Sequence, residues 1–128
     1  EAEAAIEAAI ARDPEEIAGY LFLALYHRRQ GRFDEALAAA ERAVARAPDR
    51  ADGYLAVAGL HEDQGAPDAA AVFYSLAVEV EPQSAPAWYA LGNLHASQAR
   101  WTEAISAYRQ ALEIEPTNAF VYLGLAQA

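Results

Sequence analysis

Pro14, Pro48, Pro82 and Pro116 stand 34 residues apart, and Tyr20, Tyr54 and Trp88 keep the same interval. Few folds tolerate such a constraint. A pattern that returns at this interval builds small units that pack only on their neighbours, so the chain is a stack and not one globule around one centre. Its 128 residues would otherwise allow a single compact domain.

Within each period the apolar residues fall at helical spacing, twice. The clearest copy runs from Ala85 to Asn118, with AWYALGNLHASQ and TEAISAYRQALEIE as two amphipathic helices joined by a short turn. Residues 17–50 hold the same plan: a helix from about Ile17 to Gln30, a left-handed stop at Gly31, and a helix from about Asp34 to Ala47. Asp34 and Glu35 lie at the positive end of that second helix. Residues 51–84 repeat it, with Gly65 as the stop and Pro67 at the next helix start. Residues 1–16 read as the second helix of a partial unit, with Ile6, Ala9 and Ile10 on one stripe. Residues 119–128 read as the first helix of another. The whole, 1–128, reads as one solenoid segment of a longer protein.

The set Trp88, Leu91, Gly92, His95, Ala104, Tyr108, Ala111 and Pro116 resembles the tetratricopeptide repeat. The resemblance implies an all-α fold, a right-handed α–α superhelix of antiparallel helix pairs. The large residue of each first helix is Tyr20, Tyr54 or Trp88. The small residues facing it are Ala36, Ala70 and Ala104, then Ala43, Ala77 and Ala111. Two departures stand out: Ala40 replaces the aromatic seen as Tyr74 and Tyr108, predicting looser packing there, and Ala99 replaces the turn glycine.

Charge and composition exclude several functions. The net charge of −10 repels phosphates, so neither nucleic acid nor anionic lipid is the expected ligand. The charge is uneven: residues 17–50 carry six Arg against four acids, whereas residues 51–84 carry six acids and no base. The longest apolar run, Ile17 to Tyr26, is too short to span a bilayer. No signal peptide is visible, and the absence of cysteine fits cytoplasm or periplasm equally.

His27, His61 and His95 occupy the same place in three repeats and raise the possibility of a metal site. Equivalent positions in stacked helices lie about 8–10 Å apart, too far for one zinc with ligands at about 2 Å. Packed imidazoles, each with a hydrogen-bond partner, are the expectation. Nothing beside Glu62 and Asp63 completes a catalytic constellation, so neither enzymatic activity nor a cofactor is expected.

The resemblance implies that a peptide or partner helix binds the concave wall formed by the first helices. The wall should present Ala18, Leu21, Phe22, Leu25, Arg28 and Arg29, then Asp52, Leu55, Ala56, Gly59, Glu62 and Asp63. Pro86, Tyr89, Ala90, Asn93 and Ser97 follow, and the last helix adds Phe120 and Leu123. The carboxylate clamp of the co-chaperone members is absent: Leu21, Leu25, Ala56, Pro86 and Ala90 stand in its places. Asn93 is the single rung of the asparagine ladder found in the glycosyltransferase members. The expected partner therefore buries apolar anchors on Leu21, Leu25, Leu55 and Tyr89, and offers both charge signs, or at least an acid facing Arg28 and Arg29. The alternatives are self-assembly through apolar end faces (Ile6, Ile10; Phe120, Tyr122, Leu125) or a docking arm of a larger enzyme or secretion complex.

Overall fold

A computed structural model describes residues 2–13 and 16–116. It holds seven helices and, among the described residues, no strand: α1 (Ala2–Arg12), α2 (Ile17–Arg29), α3 (Phe33–Arg46), α4 (Ala51–Asp63), α5 (Pro67–Val80), α6 (Ala85–Ser97) and α7 (Trp101–Ile114). The limits lie within one or two residues of those read from the sequence. The intended pairs form: α2 with α3, α4 with α5, and α6 with α7.

The turns follow from backbone accounting. Each first helix ends with its last carbonyls unsatisfied, and the next residues fold back to cover them. Gly31 N–H donates to Arg28 O at 3.1 Å and Arg32 N–H to His27 O at 2.9 Å. The same two bonds close α4 and α6, ending on His61 O and His95 O. This cap needs one left-handed residue. Gly31 and Gly65 supply it at φ 74° and 72°, and Ala99 adopts it at φ 59° despite its Cβ. The departure at Ala99 thus changes the residue and not the turn.

Small residues set how closely the helices approach. Ala36, Ala70 and Ala104 are completely buried, as are Ala77 and Ala111. Ala40 is also completely buried, so the first pair closes on an alanine where the later pairs use Tyr74 and Tyr108. The seam between repeats is polar as well as apolar. Tyr54 Oη donates to Pro48 O at 3.3 Å, and Trp88 Nε1 donates to Pro82 O at 2.9 Å. The two periodic residue types met first in the sequence are therefore partners: the proline breaks one unit, and its carbonyl receives the aromatic of the next.

The first helices touch one another, α2 with α4 and α4 with α6, whereas α3, α5 and α7 make no mutual approach. The stack is tighter on the first-helix side, which makes that side its inner wall. At the start of the chain, α1 packs on α2 with Ile10 seated against Gly19, where a Cβ would lie 2.7 Å from Ile10 Cγ1. Ile10 is only 6 % exposed and Ile6 half-buried, so these two are not the bare end face expected from the sequence. Phe120, Tyr122, Leu123 and Leu125 lie outside the described residues.

Candidate functional site

On α2 the inner line is Leu21, Leu25 and Arg28, spaced by four and three so that they share one face. On α4 the equivalent line is Leu55, Gly59 and Glu62 with Asp63 beside it, and on α6 it is Tyr89 and Asn93. Leu25 is 40 % exposed, Leu21, Leu55 and Tyr89 are half-buried, and Gly59 is buried. Ala56 and Ala90, offered to the same wall by the sequence, are half-buried against the cores of the adjoining repeats. Phe22 stands out as a large apolar residue that is 62 % exposed.

The charged residues do not stand open as the sequence suggested. The Arg28 guanidinium crosses from α2 to α4 and donates to both oxygens of Asp63, with Nη2 2.9 Å from Oδ1 and Nε bonded to Oδ2. Nη2 also lies 3.5 Å from Gly59 O. The guanidinium lies directly over Gly59, where a Cβ would stand 3.0 Å from Nη1. The Asp63 hydrogen bond holds the Arg28 pKa above its ordinary value. Glu62 accepts a hydrogen bond from the Tyr74 hydroxyl of α5. Burial, then this bond, pushes the Tyr74 pKa well up. Asn93 Oδ1 accepts from Tyr108 Oη at 2.6 Å, and Tyr89 leans over Tyr108 at 6.0 Å between ring centres. Burial foremost, with Tyr89 nearby, raises the Tyr108 pKa.

Asp52 accepts from Arg50 Nη2 at 2.7 Å, so four of the five charged groups assigned to the wall are held by the chain itself, and an acidic partner facing Arg28 loses its basis. Arg29 is exposed, and no carboxylate among the described residues pairs with it. The partners Tyr74 and Tyr108 were missed because they come from the second helices, whereas the expected wall was drawn from the first helices alone.

Between α2 and α4 the wall dips into a hollow of about 110 Å³ lined by Leu21, Ala24, Leu25, Arg28, Ala56 and Leu60. Five of the six are apolar. Ala24 and Leu60, also absent from the expected wall, form part of its lining.

The histidines sit in the packing between helices. His61 stacks on Phe73 at 5.4 Å and meets Phe33 edge-on at 6.0 Å. His27 Nε2 lies 3.8 Å from Glu3 Oε2, whereas the buried Nδ1 atoms of His27 and His95 have no hydrogen-bond partner. Packing was expected correctly; the partner was not found for those two nitrogens. Among the described residues no three His, Asp or Glu side chains converge on a point that could hold a metal ion. No described helix is long and apolar enough to cross a membrane.

Antiparallel helix pairs, stacked at a fixed interval with small-residue seams and an inner wall of first helices, define a helical-repeat solenoid. The chain belongs to the tetratricopeptide repeat family: one of the family's profiles matches residues 1–49 and 21–85, and a second matches 85–118. No curated protein sequence matches it. Among solved structures it is similar to TTC0263, a thermophilic tetratricopeptide protein of Thermus thermophilus, with 26 % identity over 94 % of this chain and 68 % of that one, TM-score 0.80. It is also similar to MamA, with 21 % identity over 96 % and 72 %, TM-score 0.74. The first repeat domain of Spaghetti (RPAP3), solved bound to the HSP90 peptide SRMEEVD, shares 20 % identity over 87 % and 90 %, TM-score 0.78.

Proposed function

We propose that this chain is a non-enzymatic interaction scaffold whose inner wall of first helices receives a peptide or helix of another protein. The observation that carries the reading is the apolar opening at Leu21, Leu25 and Leu60 beside polar groups already paired within the chain. A partner gains there by burying apolar surface, at roughly 25 cal/mol per Å², without having to break an ion pair. The wall offers few charged anchors, so the contact is modest in area and transient. It also lacks the clamp residues, which disfavours recognition of a free C-terminal carboxylate. The test is Leu25→Glu combined with Tyr89→Ala. Pull-down of the native partner should be lost while far-ultraviolet circular dichroism stays unchanged, and undiminished capture would remove the inner wall from consideration.

One observation favours a second reading, stacking on another helix. Phe22 occupies the register at which Ala56 and Ala90 pack against adjoining repeats, yet Phe22 is mostly exposed. Light scattering over a concentration series separates the two: mass that grows with concentration and is abolished by Phe22→Ser supports stacking, and a constant monomer opposes it.

A further inference from the structure

On the inner wall an apolar hollow and an available cation lie side by side. Leu25 lines the hollow between α2 and α4, and Arg29 lies one turn further along the same side of α2. Four residues of helix advance about 6 Å, which two residues of extended chain also span at about 3.3 Å each. In an extended chain residues i and i+2 point to the same side. A side chain in the hollow therefore brings the one two places away over Arg29.

We propose that this wall reads an extended acidic segment in which a branched aliphatic residue and a carboxylate are separated by one residue. The proposal rests on the inner-wall reading above and names the chemistry of its guest. Size argues for the aliphatic: the hollow of about 110 Å³ is smaller than the roughly 150 Å³ apolar cavity known to take a benzene ring, so it suits a leucine-sized group. Charge argues for the carboxylate. Residues 17–50 are the one repeat with surplus arginine in a chain of net charge −10. Of its inner pair, Arg28 is spent on Asp63, which leaves Arg29 to pair with the guest. Arg28 closes one end of the hollow with Nε and Nη2 already engaged, and its Nη1 is left to donate to a backbone carbonyl of the guest.

The probe is the nonapeptide GSDSLSDSG, which carries an aspartate two places from leucine in either chain direction. It is titrated into the ¹⁵N-labelled chain and followed by amide shifts. Saturable shifts are expected at Leu21, Leu25, Ala56 and Arg29, with Kd at or below about 1 mM. Replacing the peptide's leucine by serine should weaken binding by about tenfold or more, and replacing both aspartates by asparagine by about threefold. The asparagine effect should vanish in Arg29→Gln, and Ala56→Leu, which fills the hollow, should abolish binding. Because the peptide substitutions leave the protein untouched, a misfolded variant cannot rescue or sink the idea alone. Equal binding of the leucine and serine peptides, or no saturable shift at millimolar peptide, overturns it. A native partner sensitive to Leu25→Glu and Tyr89→Ala but indifferent to Ala56→Leu and Arg29→Gln would retire this inference and leave the inner-wall reading standing.

Discussion

The ring of Tyr108 lies so close over Gly92 that a Cβ on that glycine would stand 2.7 Å from both Cδ1 and Cε1. Neither side has room to give, because the tyrosine is buried and its hydroxyl is tied to Asn93. Alanine favours a helix over glycine by about 1 kcal/mol, but overpacking costs about 1–3 kcal/mol. Gly92→Ala should therefore lower the urea midpoint. At Gly59 the neighbour is the movable end of Arg28, so Gly59→Ala should be neutral or stabilise by about 0.5 kcal/mol.

Ala99 supplies the opposite case. Its positive φ costs an L-residue about 1–2 kcal/mol, a cost that glycine removes, less the added entropy it gives the unfolded chain. Ala99→Gly should raise the melting temperature by about 2–4 °C. Gly31→Ala, at the same turn two repeats earlier, should lower it.

The Arg28–Asp63 bridge ties the inner wall together, yet each side chain is 41 % exposed. Its coupling in a double-mutant cycle should be only about 0.5–1 kcal/mol and should shrink in about 1 M NaCl. A coupling several times larger and independent of salt would show the pair to be desolvated.

Tyr74 makes stability depend on alkaline pH. Burial and the Glu62 bond raise its folded pKa above the ordinary value near 10, so the folded chain keeps a proton that the unfolded chain releases. The stabilisation is complete below pH 10 and is lost as pH rises towards the folded value. Urea titrations from about pH 9 to about pH 11.5 should show a steeper decline for the native chain than for Tyr74→Phe.

Trp88 fills the seam and donates to Pro82 O. Trp88→Ala should cost about 3 kcal/mol, the lower end of the range for this change because the ring is half-buried. Tyr54→Phe removes only the hydroxyl bond to Pro48 O and should cost about 0.5–1 kcal/mol. Both are read from urea midpoints.

The helix ends and pairings were legible because each rests on residues with a single local meaning: Pro48 and Pro82 end helices, Gly31 and Gly65 turn left-handed, and Ala70 and Ala104 permit close approach. Ala99 was harder, since its neighbours and not its own preference place it in the left-handed region. The wall was legible as a row of positions but not as a set of bonds. Arg28 and Asp63 are 35 residues apart, and their pairing depends on how far a guanidinium on one first helix reaches towards the next. Tyr74 to Glu62 and Tyr108 to Asn93 likewise require knowing how far a second-helix ring reaches past its partner helix. Helical periodicity identifies the face of a residue but carries no information on that reach.

The borrowed carbonyls of Pro48 and Pro82 bear on how such a chain can lengthen or shorten. Each joint is half donated by one unit and half by the next, so excising any 34 consecutive residues between Pro48 and Trp88 sets the Trp88 indole opposite the Pro48 carbonyl in a matching joint. Losing a single residue instead swings every downstream helix by about 100° and strands both halves of the joint. Gene duplication or loss is thus quantised in whole units, and frame-preserving indels of other sizes are confined to the turns.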